Sequence, residues 1–95
     1  LMFITDVHAL GLDVAQGLTL TESFYWDMND KTRGFTKRFV PRSPNNYPNM
    51  IHAGNYSAAL HFLKAVTDMG VPAAKASGSA IADRMKAMPV VDECF

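Results

Sequence analysis

The stretch GLTLTESFYWDMNDKTRGFTKRF, residues 17–39, decides how the chain is expected to fold. In residues 18–21 leucine alternates with threonine, which is the period of a half-buried strand. Three aromatic residues, Phe24–Trp26, then stand in a row at the point where the chain leaves this strand. The pattern predicts a short strand over residues 18–23 that ends in an aromatic corner.

A helix is expected directly after this corner, from about residue 29 to residue 40. Residues 27–30 supply carboxylate and amide oxygens, which cap the first turn of a helix and interact favourably with its dipole. Phe35 and Phe39 are four residues apart and give the helix an apolar stripe. Pro41 is expected to end it.

The longest helix is predicted from about Pro48 to Met69, after a loop over residues 41–48 that is rich in proline and asparagine. Proline suits the first turn of a helix. Gly70 is placed to end the helix in the left-handed conformation, with Pro72 just beyond it. One face carries apolar or aromatic residues at helical spacing: Tyr56, Ala59, Leu60, Leu63 and Val66.

The remaining segments predict one more strand and one more main helix. Residues 1–5 are apolar and predict a short strand, whereas residues 6–16 predict a helical turn or two weakened by Gly11. A last helix is expected to end near Met88, with Ser77 or Ser79 as its cap and an apolar stripe. The apolar stripe of this last helix consists of Ile81, Met85 and Met88. The expected content is therefore two short strands and three main helices.

Composition excludes several classes of function. The 95 residues have a formal net charge of zero, whereas nucleic-acid binding needs a basic excess. Lys31, Arg33, Lys37, Arg38 and Arg42 form a local basic cluster, which suggests either a solvated helix face or a site for an anionic partner. No apolar run approaches the length of a membrane span. The single cysteine, Cys94, cannot form a disulfide within the chain.

Three quoted segments resemble a known family in the same order. They are ITDVHALGLDVAQGLTLTESFYWDMND from Ile4, AGNYSAALHFLKAVTDMG from Ala53, and IADRMKAMP from Ile81. Together they resemble the periplasmic solute-binding proteins of ABC transporters, of the branched-chain amino acid type. The resemblance implies the type I fold of two α/β lobes joined by three crossover segments.

The resemblance also implies a domain organisation. Residues 1–17 would end the C-terminal lobe, residues 18–26 would form a crossover strand, and residues 27–95 would be helices of the N-terminal lobe. The chain is thus expected to be a mostly helical, α/β fragment from the latter part of such a protein. Its helices would lack the sheet that covers them, so two copies are expected to pair as a homodimer through apolar helix faces.

Five residues are expected to bind the ligand. Phe24, Tyr25 and Trp26 follow the crossover, where they could line the cleft with large apolar surfaces. Tyr56 matches a family tyrosine that faces the ligand at the start of the long helix, and Asn55 precedes it. The alternative for all of them is packing in the core beside the strand or between helices.

No residue pattern predicts catalysis, a metal or a cofactor. His52 and His61 are nine residues apart and fall on different helix faces, so they do not form a metal-binding pair. Ser57 has no nucleophile-elbow glycines and no identifiable partners for a catalytic triad. The expected function is therefore non-enzymatic.

The resemblance implies a receptor in the periplasm. It would capture a branched-chain amino acid or a small aromatic or organic acid and deliver it to an ABC permease. The alternative is a small helical protein–protein interaction module with no solute ligand.

Overall fold

The computed structural model describes residues 2–95, and within this range it contains six α-helices and one 3₁₀ turn. Two short helices lie near the N-terminus, a long helix runs through the middle, and two further helices follow it. We number the α-helices in chain order: α1 (Ile4–Leu10), α2 (Leu12–Ala15), α3 (Asp30–Phe39), α4 (Met50–Met69), α5 (Val71–Ala76) and α6 (Gly78–Ala87). The 3₁₀ turn (Val40–Arg42) follows α3.

The predicted α/β class with two short strands is wrong, because residues 2–95 contain no strand. Of the first predicted strand, residue 1 lies outside the described residues, and Ile4 and Thr5 already belong to α1. Residues 18–23 form no ladder, since no segment within residues 2–95 pairs with them. A strand is stabilised by hydrogen bonds to a neighbouring strand, so alternation alone cannot produce one.

Glu22 ties the 18–23 segment to α1 instead. Its Oε1 accepts a hydrogen bond from the backbone N–H of Ile4 at 2.7 Å, while Asp6 Oδ2 accepts from the N–H of Phe3 at 2.7 Å. Both carboxylates therefore satisfy amide groups at the start of α1 that have no partner within the helix. The predicted helical turns over residues 6–16 are confirmed. Gly11, with a φ of +87°, separates them into α1 and α2.

The helix predicted over residues 29–40 is confirmed as α3. Asn29 Oδ1 accepts from the N–H of Thr32 at 3.0 Å, and Thr32 Oγ1 accepts in return from the N–H of Asn29 at 3.0 Å. This reciprocal capping box fixes the first turn. Phe35 and Thr36 are buried on one side of α3, and Pro41 lies in the 3₁₀ turn that ends the helical segment.

The long helix is also confirmed, although Asn49 caps it and Met50 begins it. Asn49 Oδ1 accepts hydrogen bonds from the N–H groups of Ile51 at 3.0 Å and His52 at 3.2 Å. Gly70 ends α4 with φ 85° and ψ 142°, which lies outside the predicted left-handed region. Its positive φ turns the chain directly into α5, whose first turn contains Pro72.

The last predicted helix is confirmed as α6, with Ser77 as its cap. Helix α6 packs against α4, and His61 Nε2 lies 2.9 Å from the carbonyl oxygen of Met85. His61 is buried, so this bond links the two helices in a region with little water. The apolar stripe of α6 is half-buried on α4.

The core lies where four segments meet: the aromatic corner (Phe24–Trp26), α3, α4 and the C-terminal tail (residues 88–95). Phe24, Phe35, Ala53 and Cys94 form it, and the Phe24 and Phe35 rings meet edge to face at a centroid distance of 5.8 Å. The chain is elongated, with extents of 54 × 26 × 20 Å. This core therefore connects the elements on either side of it and is not the centre of a compact domain.

Candidate functional site

The three neighbouring aromatic residues of the corner have different environments. Phe24 is 1% exposed and belongs to the core, whereas Tyr25 is 42% exposed. Trp26 is half-buried, and its ring stacks on that of Tyr47 at a centroid distance of 4.4 Å and an interplanar angle of 19°. Of these three residues, Trp26 lines the groove described below.

Threonines of α3 hold the backbone of this corner. Thr36 Oγ1 lies 3.2 Å from the carbonyl oxygen of Trp26 and 2.8 Å from that of Thr32, so one hydroxyl proton is shared between two acceptors. Thr32 Oγ1 accepts from the N–H of Met28 at 3.1 Å. The N–H of Met28 also lies 3.2 Å from the carbonyl oxygen of Tyr25, which closes a tight turn. The backbone at Trp26 is thus held against α3.

A groove of about 700 Å³ lies beside Trp26. Its volume falls within the range of small-molecule sites, about 300–1,000 Å³. Helices α1 and α2 form one wall, and Trp26 with the loop before α4 forms the other. Most of its surface is apolar, with a few polar side chains among the lining residues. The lining residues are Ile4, Thr5, Val7, His8, Leu12, Trp26, Val40, Asn45, Asn46 and Tyr47.

Asn49 connects the two sides of this region. Its buried side chain donates from Nδ2 to Thr5 Oγ1 at 3.1 Å while it caps α4. Neither Asn49 nor Thr5 is among the predicted site residues. An asparagine immediately before a periodic helical run is the signal for a cap, and it could have identified Asn49. No sequence signal pairs it with Thr5, which lies 44 positions away.

A second pocket, of about 350 Å³, lies between α3 and the first half of α4. The predicted residues Tyr56 and Asn55 line it, and so do three basic side chains that were not predicted to bind the solute. The lining residues are Phe35, Arg38, Phe39, Arg42, His52, Asn55 and Tyr56. The predicted ligand-binding residues are therefore divided: Trp26 lines the groove, Asn55 and Tyr56 line this pocket, and Phe24 and Tyr25 line neither.

The C-terminal tail is bound to α3 and α4 by charged groups. Arg38 donates from both terminal nitrogens to the carboxylate of Glu93, and Nη1 lies 2.9 Å from Oε1. The hydrogen bond to Glu93 is the main cause that raises the pKa of Arg38, and the hydrogen bond from Arg38 lowers the pKa of Glu93. Both groups are thus charged in the folded chain.

Asp92 binds the same tail to α4. Its carboxylate accepts hydrogen bonds from the hydroxyl of Ser57 and from the N–H groups of Cys94 at 2.7 Å and Phe95 at 3.0 Å. Burial acts to raise the pKa of Asp92, but these three hydrogen bonds and the charge of Lys64 together lower it. The side chain of Ser57 is therefore used in holding the tail.

Cys94 is expected to react slowly with thiol reagents. Its side chain is 3% exposed, and burial, followed by the charges of Asp92 and Glu93, raises its pKa to about 12. At pH 8 only about one thiol in ten thousand would be ionised, compared with about a quarter at the unperturbed pKa of about 8.5. Labelling with Ellman's reagent at pH 8 should therefore be at least roughly a hundredfold slower in the native chain than in urea. The C94S variant provides the blank, and equal native and denatured rates would show that the tail is not docked.

No group of three histidine, cysteine, aspartate or glutamate side chains that could hold a metal ion occurs within residues 2–95. His61 is bonded to Met85 between two helices, and His52 lies in the second pocket. The predicted absence of a metal and of a cofactor stays a prediction.

Comparison with known proteins identifies the family. The model of the family described as periplasmic binding protein matches residues 1–95. The chain therefore belongs to the periplasmic binding protein family, and the resemblance to periplasmic binding proteins described from the sequence is confirmed.

A solved structure is also similar to this chain: the 1.80 Å crystal structure of a periplasmic binding protein from Burkholderia mallei. The two share 37% sequence identity and superpose with a TM-score of 0.73. The alignment covers 99% of this chain and 24% of the other, so the chain spans about a quarter of that protein's length. A search of the curated proteins finds no match. Among the described residues, no helix has the length and apolar character needed to cross a membrane.

Proposed function

We propose that this chain contributes to a two-lobed receptor that binds a small organic acid in the periplasm and delivers it to an ABC permease. Membership of the periplasmic binding protein family supports solute binding. The role is proposed to be binding without catalysis. The proposed solutes are a branched-chain amino acid or a small aromatic acid.

The groove beside Trp26 is the observation that carries this proposal. Residues 4–12, which we assign to the end of the C-terminal lobe, face the groove from one side. Trp26 and residues 45–47, assigned to the crossover and the N-terminal lobe, face it from the other. A site with walls from two lobes closes when the lobes approach, and closure removes the solute from water.

The aromatic corner suits the apolar part of such a solute. Trp26 and Tyr47 are stacked, so their rings are held in place and little rotamer freedom is lost on binding. Tyr25, whose ring lies 5.7 Å from that of Trp26, is proposed to support it from the exposed side. Phe24 is proposed to support the aromatic corner from within the core and not to contact the solute, because its ring has almost no exposed surface.

Replacing Trp26 with alanine in the full-length receptor is expected to weaken solute binding by at least about 1 kcal/mol, roughly a fivefold rise in Kd. The variant removes the ring that forms one wall of the groove and the stacking partner of Tyr47. Isothermal titration calorimetry with leucine, benzoate and coumarate as probes measures the effect. Tyr25→Ala is expected to have a smaller effect in the same direction.

Met28→Ala is the matched control, since Met28 is exposed on the same turn and does not line the groove. Its Kd should equal that of the wild type. If Trp26→Ala binds solute like the wild type but unfolds at a lower temperature, Trp26 is a packing residue and the groove is not the solute site. A receptor that binds none of the probes, and no other small acid, would favour the interaction module with no solute ligand.

A further inference from the structure

Helix α1 forms one wall of the groove beside Trp26, yet apolar packing does little to hold it there. None of its residues is buried, and within residues 2–95 its backbone approaches no helix other than α2. A segment with few buried apolar contacts moves at low free-energy cost unless polar contacts hold it. The position of this wall therefore depends on hydrogen bonds.

Within residues 2–95, two side-chain hydrogen bonds connect α1 to segments beyond α2. Glu22 Oε1 accepts from the N–H of Ile4 at 2.7 Å, and Asn49 Nδ2 donates to Thr5 Oγ1 at 3.1 Å. Ile4 and Thr5 lie in the first turn of α1, and both line the groove. The bond from Asn49 is the one that joins α1 to α4, since Asn49 is the cap of that helix.

The side-chain amide of Asn49 has only one orientation that satisfies its neighbours. Its Oδ1 accepts from the N–H groups of Ile51 at 3.0 Å and His52 at 3.2 Å. The amide nitrogen therefore points away from the helix, where it meets Thr5 Oγ1. Asn49 is 7% exposed, and a buried amide without a partner is unfavourable. One side chain thus fixes both the start of α4 and the distance of the α1 wall from it.

We propose that Asn49 is a positioning residue for the solute groove, and that its bond to Thr5 favours the closed form of the receptor. This inference rests on the proposed function, in which residues 4–12 and residues 45–47 belong to different lobes. When the walls separate, water reaches both groups and replaces the bond, so opening has a modest net cost. The bond therefore adds a small, constant bias toward closure, and bound solute supplies the rest.

The distance between two spin labels in the full-length receptor, measured without solute by double electron–electron resonance, tests this role. The labels are attached at Asp13→Cys on α2 and Lys37→Cys on α3, in a background whose other cysteines are replaced by serine. Both positions are exposed. The distance reports on the groove, because α2 moves with the α1 wall and α3 holds the backbone at Trp26. We expect two distances, one for a closed and one for an open form.

Asn49→Ser should lower the ratio of closed to open receptor about two- to tenfold, the effect of one neutral hydrogen bond. Serine still caps α4, but its side chain is too short to reach Thr5. Asn29→Ser is the matched control, because it makes the same change at the cap of α3, where Oδ1 accepts from Thr32 and no bond to α1 exists within residues 2–95. It should leave the ratio unchanged.

Variants of Thr5 show whether the two side chains act through one bond. Thr5→Val removes the acceptor oxygen and keeps the shape, so it should lower the ratio as Asn49→Ser does. The double variant should lower it no further. Thr5→Ser keeps the hydroxyl and should lie closer to the wild type than Thr5→Val.

Three results would overturn the proposal. The wild type and Asn49→Ser could give the same distances; Asn49→Ser and Asn29→Ser could lower the ratio equally; or the effects of Asn49→Ser and Thr5→Val could simply add. Each can occur in a receptor that binds solute at Trp26. Conversely, the expected shift can be seen in a receptor that binds none of the probes, because the distances are measured without solute. Failure of this inference is therefore distinguishable from failure of the proposed function.

Discussion

Replacing Phe24 with alanine is expected to lower the free energy of unfolding of the 95-residue chain by about 3–5 kcal/mol. The Phe24 ring is 1% exposed, meets the Phe35 ring edge to face, and lies in a core that also includes Ala53 and Cys94. These groups come from the corner, α3, α4 and the tail, so the cavity left by the ring would loosen the contacts among four segments. A small domain is stable by only about 5–15 kcal/mol, so this loss is a large share of the total.

Urea unfolding followed by circular dichroism measures the effect of Phe24→Ala. Tyr25→Ala is the matched control, because the neighbouring ring is of similar size and 42% exposed. It is expected to cost less than about 1 kcal/mol. Phe24→Leu fills part of the cavity and should unfold between the wild type and Phe24→Ala. Equal midpoints for Phe24→Ala and Tyr25→Ala would mean that the core does not form around Phe24.

Helices were predictable because their signals are local. A helix satisfies its backbone hydrogen bonds within itself, so caps and apolar spacing over a few turns are enough to locate it. Asn29 and Ser77 mark the starts of α3 and α6 for this reason. The sequence pattern does not predict α5, because a proline at position 72 is typical of the segment just beyond the C-terminus of a helix. Proline also suits the first turn of a new helix, and the positive φ of Gly70 allows the chain to enter it.

The strands could not be predicted in this way, since a strand needs a second segment to accept its hydrogen bonds. The alternation in residues 18–21 predicts which side chains face the protein, but it does not predict a second strand that could pair with this segment. The corner shows the same limit for the candidate site. Phe24 and Trp26 are two positions apart, yet tertiary packing places one in the core and the other at the groove.

The polar part of the site depends on contacts between residues distant in sequence. Arg38 and Glu93 are separated by 55 positions, and Asn49 and Thr5 by 44. By sequence, Arg38 and Arg42 are members of a local basic cluster, because neither local spacing nor composition reveals which helix packs beside them. The spacing of His52 and His61 excludes a metal-binding pair, but it does not predict that His52 Nδ1 caps α4 or that the His52 ring lines the second pocket.

The 95-residue chain on its own is expected to self-associate. Its radius of gyration is 16.8 Å, compared with about 12 Å for a compact domain of this length. Phe62 and Leu63 on α4 are 43% and 58% exposed, and Leu12 and Val14 near the N-terminus are exposed as well. Exposed apolar surface of this kind gains about 25 cal/mol for each Å² that a second copy covers. Pairing of two copies along α4 is the simplest way to cover Phe62 and Leu63.

Light scattering coupled to gel filtration, at about 1 mg/mL, measures the mass of the chain and should give that of a dimer or larger species. The double variant Phe62→Lys/Leu63→Lys should shift the mass toward the monomer, because charged side chains on both faces would have to be desolvated. The double variant Thr19→Lys/Thr21→Lys is the control, since both threonines are exposed polar residues outside α4, and it should leave the mass unchanged. A wild-type chain that elutes as a monomer and melts cooperatively would show that the small core around Phe24 is sufficient and that the exposed face of α4 needs no cover.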